Sequence, residues 1–289
     1  MLNDNKNIVS FLNMKGGVCK TTLCKEMALN LTQNYNKRIL VIDIDPQSNC
    51  TQSFYERYNI IKNNDDDELI KEKSTLPSIE NIFTKSSGRL TEPNLKQIIY
   101  ELDSALHIIP GSLDTIFMER ETTNGSDQRL LNFIKEKELD KKYDYIFIDC
   151  PPTYSFYTVS ALLASNYYLV PLVPDIYSLL GLNLLEDVVM NLSHAYKSIV
   201  EHNPIENLGV IFTKVPVNPL KNMDRNIVQI RQAFKHLYFF ENNFQNSDKL
   251  ATNKLETFII DRDDSALLSN INSICEEFEK RMRELNEGE

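Results

Sequence analysis

The sequence predicts an α/β fold: a mostly parallel, twisted sheet with helices on both faces. Three observations predict it. Short apolar runs recur at Ile8-Val-Ser-Phe-Leu12, Ile39-Leu-Val-Ile42, His107-Ile-Ile-Pro110, Tyr145-Ile-Phe-Ile148, Tyr168-Leu-Val-Pro-Leu-Val173 and Leu208-Gly-Val-Ile-Phe212. They have the length and continuous apolar character of buried strands. Between the first two, Leu23, Met27, Ala28, Leu31 and Tyr35 recur at helical spacing, which predicts a helix from about Thr21 to Tyr35. Strand, loop, helix and strand thus follow one another within the first 50 residues, the order of a right-handed βαβ unit in a parallel sheet.

The remaining elements fit that frame. Residues 265–285 predict a terminal helix with Leu267, Ile271, Ile274, Phe278, Met282 and Leu285 turned inward. Residues 56–105 are less regular, and Asn63-Asn-Asp-Asp-Asp-Glu68 and Lys85-Ser-Ser-Gly88 read as solvated loops. Three adjacent aspartates admit a cation site, but an exposed loop is the preferred reading. Neither a repeat nor a linker interrupts the chain, so residues 1–289 are expected to form a single domain.

Composition narrows the function. Of 289 residues, 42% are hydrophobic and 25% charged, ordinary for a folded domain able to bury a large core. Lys and Arg total 31 against 41 Asp and Glu, a net charge of −10. Overall charge therefore does not draw this chain to nucleic acid, and an anionic partner must meet a local basic patch. Nothing approaches the roughly 18 consecutive apolar residues of a membrane span. The N-terminus lacks the ordered regions of a signal peptide. Cys19, Cys24, Cys50, Cys150 and Cys275 are scattered without a C-x-x-C pair, so they read as reduced thiols, and metal binding by cysteine is not expected.

The most informative segment is Asn13-Met-Lys15-Gly16-Gly17-Val18-Cys19-Lys20-Thr21-Thr22, set between a strand and a helix. A phosphate loop there needs small residues that let backbone N–H groups close on phosphates, and a lysine against the β/γ charge. It also needs a hydroxyl for Mg²⁺ at the positive end of a helix dipole. Gly16, Gly17, Lys20 and Thr21 meet those needs. The pattern G-x-x-x-x-G-K-[ST] fails, because Met14 and Cys19 stand where its glycines belong; the deviant form K-G-G-x-x-K-[ST], with the additional Lys15, fits. Asp43 and Asp45 end the second strand. Asp149 ends the strand Tyr145–Ile148 as a Walker B carboxylate does, holding magnesium through its water shell. The three segments in this order specify a P-loop NTPase with a Rossmann-like sheet, using ATP or GTP.

These residues resemble the ParA/MinD family of deviant Walker A ATPases, most of all the ParA plasmid and chromosome partition proteins. The resemblance is carried by Lys15-Gly-Gly-Val-Cys-Lys-Thr-Thr22, Asp43-Ile-Asp-Pro-Gln47 and Phe147-Ile-Asp-Cys-Pro-Pro152. Weaker echoes are Ile108–Asp114, Val170–Pro174 with Gly181-Leu182, and Gly209–Thr213. It implies ATP as the nucleotide, Mg²⁺, and a sandwich homodimer formed with ATP. It implies that Lys15 reaches the partner's nucleotide, and that Lys20 binds phosphates within its own subunit. Thr21 would ligate Mg²⁺, Asp45 would position the attacking water and assist the metal, and Asp149 would support the metal. Catalysis is thereby expected of Lys15, Lys20 and Asp45, and nucleotide binding of Lys15, Gly16, Gly17, Val18, Cys19, Lys20, Thr21 and Thr22. Cys19 departs from the family's usual glycine; it reads as a small neutral replacement, and bound ATP would shield its thiol from alkylation. The phosphate loop arrives by residue 15, so the N-terminal helix-turn-helix domain of larger partition ATPases, with its operator binding, is not expected.

Two regions bear on partners. Residues 276–289 carry six glutamates against Lys280, Arg281 and Arg283, a net −3 that anionic lipid repels, so the terminal helix is expected to pack on the core and not on a membrane. Residues 209–240 hold Lys214, Lys221, Arg225, Arg231 and Lys235 against Asp224 alone. If residues 221–237 are helical, the last four bases fall within an arc of about 120°, opposite Met223, Ile227, Ile230, Ala233, Phe234 and Leu237. Asn222 as N-cap would leave Lys221 outside the helix. A solvated helix face is the plain reading; the family resemblance turns it towards weak, salt-dependent binding of non-specific DNA through phosphates.

The resemblance implies a slow, partner-stimulated ATPase switch, cytoplasmic and nucleoid-associated. A ParB-like or other centromere-binding adaptor would trigger hydrolysis and so segregate DNA. The alternative is a related ATPase that positions a protein cargo or the division site. An ATP-dependent reductase or metal carrier would want paired cysteines at ligand spacing, which are absent. A small-molecule ligase would need a substrate pocket.

Overall fold

The computed structural model describes residues 6–60, 76–83, 94–113, 125–219, 221–246 and 258–287. The acidic run 63–68, the loop 85–88 and Asp114 lie outside the described residues.

The expected elements form in order. Strand β1 (Ile8–Phe11) leads through a loop into helix α1 (Lys20–Tyr35), and β2 (Ile39–Asp43) into α2 (Asn49–Arg57). Then come β3 (Tyr100–Glu101), β4 (Leu106–Ile109), α3 (Arg129–Glu136) and β5 (Tyr145–Asp149). They are followed by α4 (Phe156–Ala164), β6 (Tyr167–Leu172), α5 (Ser178–Ala195) and β7 (Glu206–Val215). Helix α6 (Lys221–Ala233), β8 (Phe244–Gln245) and α7 (Ser265–Glu287) complete the chain. The sheet order is β3-β4-β2-β5-β1-β6-β7-β8, parallel throughout except for β3 against β4. The two-residue strands β3 and β8 are too short for a hydrophobic period to announce them.

Alternation along each strand divides the core in two. Ile8, Leu40, Ile42, Ile146, Ile148 and Val170 face one side, under Leu130 and Phe133 of α3, Leu162 of α4, Leu182 and Leu185 of α5 and Ile230 of α6. Val9, Phe11, Val41, Phe147, Leu169 and Ile211 face the other, under Leu23 and Met27 of α1, Phe54 of α2 and the stripe of α7. Each such Leu, Ile or Phe contributes about 1.5–3 kcal/mol by its burial.

Helix α7 settles one expectation. Leu267, Ile271, Ile274, Phe278 and Met282 are all buried against α1 and the sheet, with Leu285 at the rim. Its apolar face is thus covered by the protein's own core. Lys37, just beyond α1, pairs with Glu279 of α7 at 2.8 Å. No helix among the described residues is long and apolar enough to cross a membrane.

The register decides what meets at the carboxyl end of the sheet. Phe11 and Asp43 both lie level with Asp149, on the strands flanking β5. The loop after β1, the turn after β2 and the end of β5 therefore converge on one edge, where ligands of open parallel sheets bind.

Candidate active site

The loop between β1 and α1 is anchored at both ends. The Leu12 N–H donates to the Leu169 carbonyl at 2.9 Å, and the Asn13 amide Nδ2 donates to the Pro171 carbonyl at 2.8 Å. Asn13 Oδ1 then accepts the Lys15 N–H at 2.9 Å. At the far end the Thr213 hydroxyl donates to the Val18 carbonyl at 3.0 Å, tying the loop to β7. Between these anchors Lys15, Gly16 and Gly17 are exposed, and the space around both glycines is open. Gly17 has φ +71°, a left-handed conformation that glycine adopts freely.

Cys19 is left-handed too, with φ 67°. A side chain in that conformation costs about 1–2 kcal/mol, a cost that glycine avoids. Burial pushes the Cys19 thiol up, while Lys214 and Thr213 pull it back.

Helix α1 opens with no side-chain cap and no acid in its first turn. Its first N–H groups and its positive end are left for an anion at the loop. Lys20 is buried and its Nζ donates to the Lys15 carbonyl at 3.2 Å, so the ammonium arches under the loop. Burial lowers its pKa, and Asp149, Cys150 and Asp45 work against that shift. Thr21 and Thr22 follow, half-buried, on the first turn.

The three aspartates differ in their partners. Asp43 is fully buried, and its Oδ2 accepts both the N–H (2.8 Å) and the hydroxyl (2.7 Å) of Thr51. Its Oδ1 accepts the Asp45 N–H at 3.3 Å. Burial nonetheless pushes its carboxyl up to about 7. Asp45 is nearly buried and takes the Gln47 N–H on Oδ1 at 2.9 Å. Asp149 is fully buried, and among the described residues neither of its side-chain oxygens has a hydrogen-bond partner. Its carboxyl lies well above the usual range, first through burial and then through repulsion by Asp43; Thr21 eases this without reaching hydrogen-bond geometry.

A doubly orphaned buried carboxylate is costly unless something positive completes it. Asp149 beside Thr21 and Asp45 is therefore a donor set that fits a hydrated Mg²⁺: hard oxygens, incompletely paired, opposite a lysine. Asp43, with both oxygens taken by the chain, does not belong to it.

Lys15 and Asp175, 160 residues apart, form an ion pair across the mouth of the loop. Asp175 sits in the turn before α5 and also takes the Tyr177 N–H at 3.0 Å. Ile176, Tyr177 and Leu180 beside it are more than 70% exposed, an unusual apolar cluster on a surface. Asp175 carried no motif of its own, and Asn13 and Thr213 stood only at the ends of the quoted segments; the fold brings all three to the loop.

The basic segment is more divided than its spacing implied. Helix α6 begins at Lys221, so Lys221 is its first residue and Asn222 lies inside it. It ends at Ala233, which leaves Lys235 beyond it. Lys214, Lys221, Arg225 and Lys235 are exposed. Arg231 is not free: its Nη2 donates to the Phe240 carbonyl at 2.9 Å, and its guanidinium lies 5.7 Å and 5.4 Å from the ring centres of Phe212 and Phe239. Ile230 and Phe234 are buried as expected, whereas Ala233 is exposed.

Comparison with known proteins places this site in context. Residues 6–238 match the family described as an AAA domain. A ParA family protein of Mycoplasma pneumoniae is 26% identical over 234 residues, covering 79% of this chain and 78% of its own. Among solved structures, a Borrelia burgdorferi putative plasmid partition protein bound to AMPPNP superposes with a TM-score of 0.69 at 23% identity, covering 96% of this chain and 99% of its own. The Cyanothece McdA–ATP complex superposes with a TM-score of 0.73 at 18% identity, covering 96% and 97%.

Proposed function

The chain belongs to that AAA domain family, among its ParA/MinD-like P-loop ATPases, and on this premise we propose that it is a slow ATPase switch which pairs with a second copy on ATP, holds DNA, and lets go on hydrolysis. The observation that carries the reading is the convergence of Lys20, Asp45 and Asp149, whose side-chain oxygens have no partner among the described residues, at the N-terminus of α1.

Each group then has a task set by its surroundings. The N–H groups of residues 16–21 receive the phosphates, and Lys20, already beneath the loop, meets the β/γ charge. Thr21 and Asp149, with Asp45 beside them, hold Mg²⁺. When bound, that ion neutralises charge developing on the phosphate oxygens. Asp45 orients the attacking water. Lys15, free at its tip to leave Asp175, reaches the nucleotide of the second copy. The apolar cluster of Ile176, Tyr177 and Leu180 supports contact between copies along this edge.

Exposed Lys214, Lys221, Arg225 and Lys235 support DNA phosphates as the second ligand, and the likeness to ParA family proteins supports a ParB-like adaptor as the trigger of release. On this reading the chain is a single domain of cytoplasmic, nucleoid-associated character that segregates plasmid or chromosomal DNA. The likeness to McdA beside that to a partition protein supports a second reading, in which the same switch positions a protein cargo.

The test is ATP turnover by the wild type and by Asp45→Ala, with and without non-specific DNA, beside binding of a fluorescent ATP analogue. Asp45→Ala is expected to bind the analogue and dimerise while hydrolysing at least about 10-fold more slowly. Turnover by Asp45→Ala at the wild-type rate would move the water-positioning role elsewhere.

A further inference from the structure

We propose that Thr51 is a positioning residue for hydrolysis: it ties Asp43 to Gly111 and so fixes the turn that carries Asp45. The role rests on the ATPase reading above.

Thr51 is 5% exposed and is the third residue of α2. Its N–H and hydroxyl both donate to Asp43 Oδ2, at 2.8 Å and 2.7 Å. The hydroxyl oxygen in turn accepts the Gly111 N–H at 2.8 Å. Both roles of the hydroxyl, donor and acceptor, are therefore filled within the chain. A Cβ at Gly111 would lie 2.9 Å from Ser48 Oγ, 3.0 Å from the Asp43 carbonyl oxygen and 3.1 Å from Asp43 Cγ. The segment after β4, the end of β2 and the start of α2 thus meet with no room to shift.

Asp45 hangs between these fixed points. Its N–H is held by Asp43 Oδ1 at 3.3 Å, and its carbonyl accepts the Ser48 N–H at 2.8 Å. Asp43 cannot turn without breaking its bonds to Thr51, and Asp45 cannot shift without losing Asp43. The hydroxyl of Thr51 is the one group in this chain of contacts that bonds both Asp43 and the facing segment at Gly111.

A plainer role is a cap. Ser48 makes no side-chain cap bond to α2, so Asp43 supplies one from the strand end through the Thr51 N–H. That bond is to backbone and survives any substitution at residue 51. A cap acts on stability; a positioning residue acts on kcat. The two are separable.

The experiment compares Thr51→Val, which keeps the shape and removes the hydroxyl, with Thr51→Ser, which keeps the hydroxyl. The readouts are kcat, the Kd of a fluorescent ATP analogue with Mg²⁺, and Tm. Displacement of a reacting group by even about 1 Å is costly, so Thr51→Val is expected to lower kcat about 10-fold or more while Kd stays within about threefold. Thr51→Ser is expected to restore kcat to within about twofold of wild type, because the same two bonds re-form. If Thr51→Val does not fold, Thr51→Cys takes its place, with a weak donor in the same volume and an intermediate loss of kcat expected.

Three results overturn the role: kcat unchanged in Thr51→Val; Kd weakened in step with kcat; or Thr51→Ser as slow as Thr51→Val. A wild type that binds Mg-ATP but shows no turnover, with or without DNA, overturns the ATPase reading and this role with it. Wild-type turnover beside an unaffected Thr51→Val overturns the role alone.

Discussion

Lys15 is ion-paired with Asp175 of its own chain, across the mouth of the loop. In the proposed switch the same lysine must serve a second copy, so this contact competes with pairing. Both groups are partly exposed, and ion pairs of that kind contribute no more than about 1 kcal/mol. Asp175→Asn is accordingly expected to promote ATP-dependent dimerisation, lowering the half-maximal ATP concentration by about two- to fivefold. Light scattering across an ATP titration reads this; an unshifted or raised midpoint would show that Asp175 does not restrain Lys15.

Asp149 sets stability against ligand binding. Its buried carboxyl group, without a partner among the described residues, opposes folding, and the proposed Mg²⁺ would relieve that cost. Asp149→Asn is expected to raise Tm by a few degrees without nucleotide, about 1 kcal/mol or more, since the charge is gone. It is also expected to erase the gain in nucleotide affinity that Mg²⁺ confers. Thermal melts with and without Mg-ATP check both parts, and an unchanged Mg²⁺ effect would place the metal elsewhere.

Glu26 on α1 gives a pH signature away from the site. It is buried, with Oε2 accepting the Ile259 N–H at 2.9 Å and Oε1 unpartnered. Burial raises its carboxyl from 4.5 to about 7; Lys25 and Arg262 face it and pull it back, and Asp261 opposes them. The folded state binds this proton more tightly than the unfolded chain. Its stabilising effect is therefore full below about 4.5 and is lost as pH rises through about 7. Glu26→Gln keeps the bond to Ile259 without the charge. It is expected to match wild type near pH 4 and to exceed it at pH 8 by up to about 2–3 kcal/mol. Urea unfolding at the two pH values tests the sign.

The basic segment now yields two different expectations. Arg225→Glu, on the exposed face of α6, is expected to weaken ATP-dependent DNA binding at least about 10-fold and to lower its salt dependence, with Tm unchanged. Arg231→Ala is expected to lower stability by about 1–2 kcal/mol, through loss of its bond to the Phe240 carbonyl and its ring contacts. DNA affinity measured at several salt concentrations, beside Tm, separates them. Equal DNA affinity for Arg225→Glu and wild type would remove α6 from the interface.

The net charge of −10 and the basic residues are reconciled by where each lies. On the terminal helix Glu276 and Glu287 are exposed while the apolar stripe is buried, and exposed bases collect near α6. If DNA is the ligand, as proposed, an acidic chain that holds it only through such a patch, doubled in a dimer, would release readily.

Local sequence alone determined the strand runs, the glycine-bearing loop between β1 and α1, proposed as the phosphate loop with Lys15, Lys20 and Thr21, and the strand-end aspartates. Those features depend on neighbours a few residues away: apolar continuity, glycine's conformational freedom, and a hydroxyl one residue after a lysine. Only tertiary structure decided which aspartate is free. Asp43 and Asp149 look alike as strand ends, yet Thr51 and the Asp45 N–H occupy both oxygens of one, and no described residue bonds those of the other. It likewise paired Lys15 with Asp175, anchored Val18 to Thr213, and withdrew Arg231 from a face its helical spacing had assigned it. These are contacts between residues far apart in the chain, set by strand register and by where a helix stops, and no local pattern encodes them.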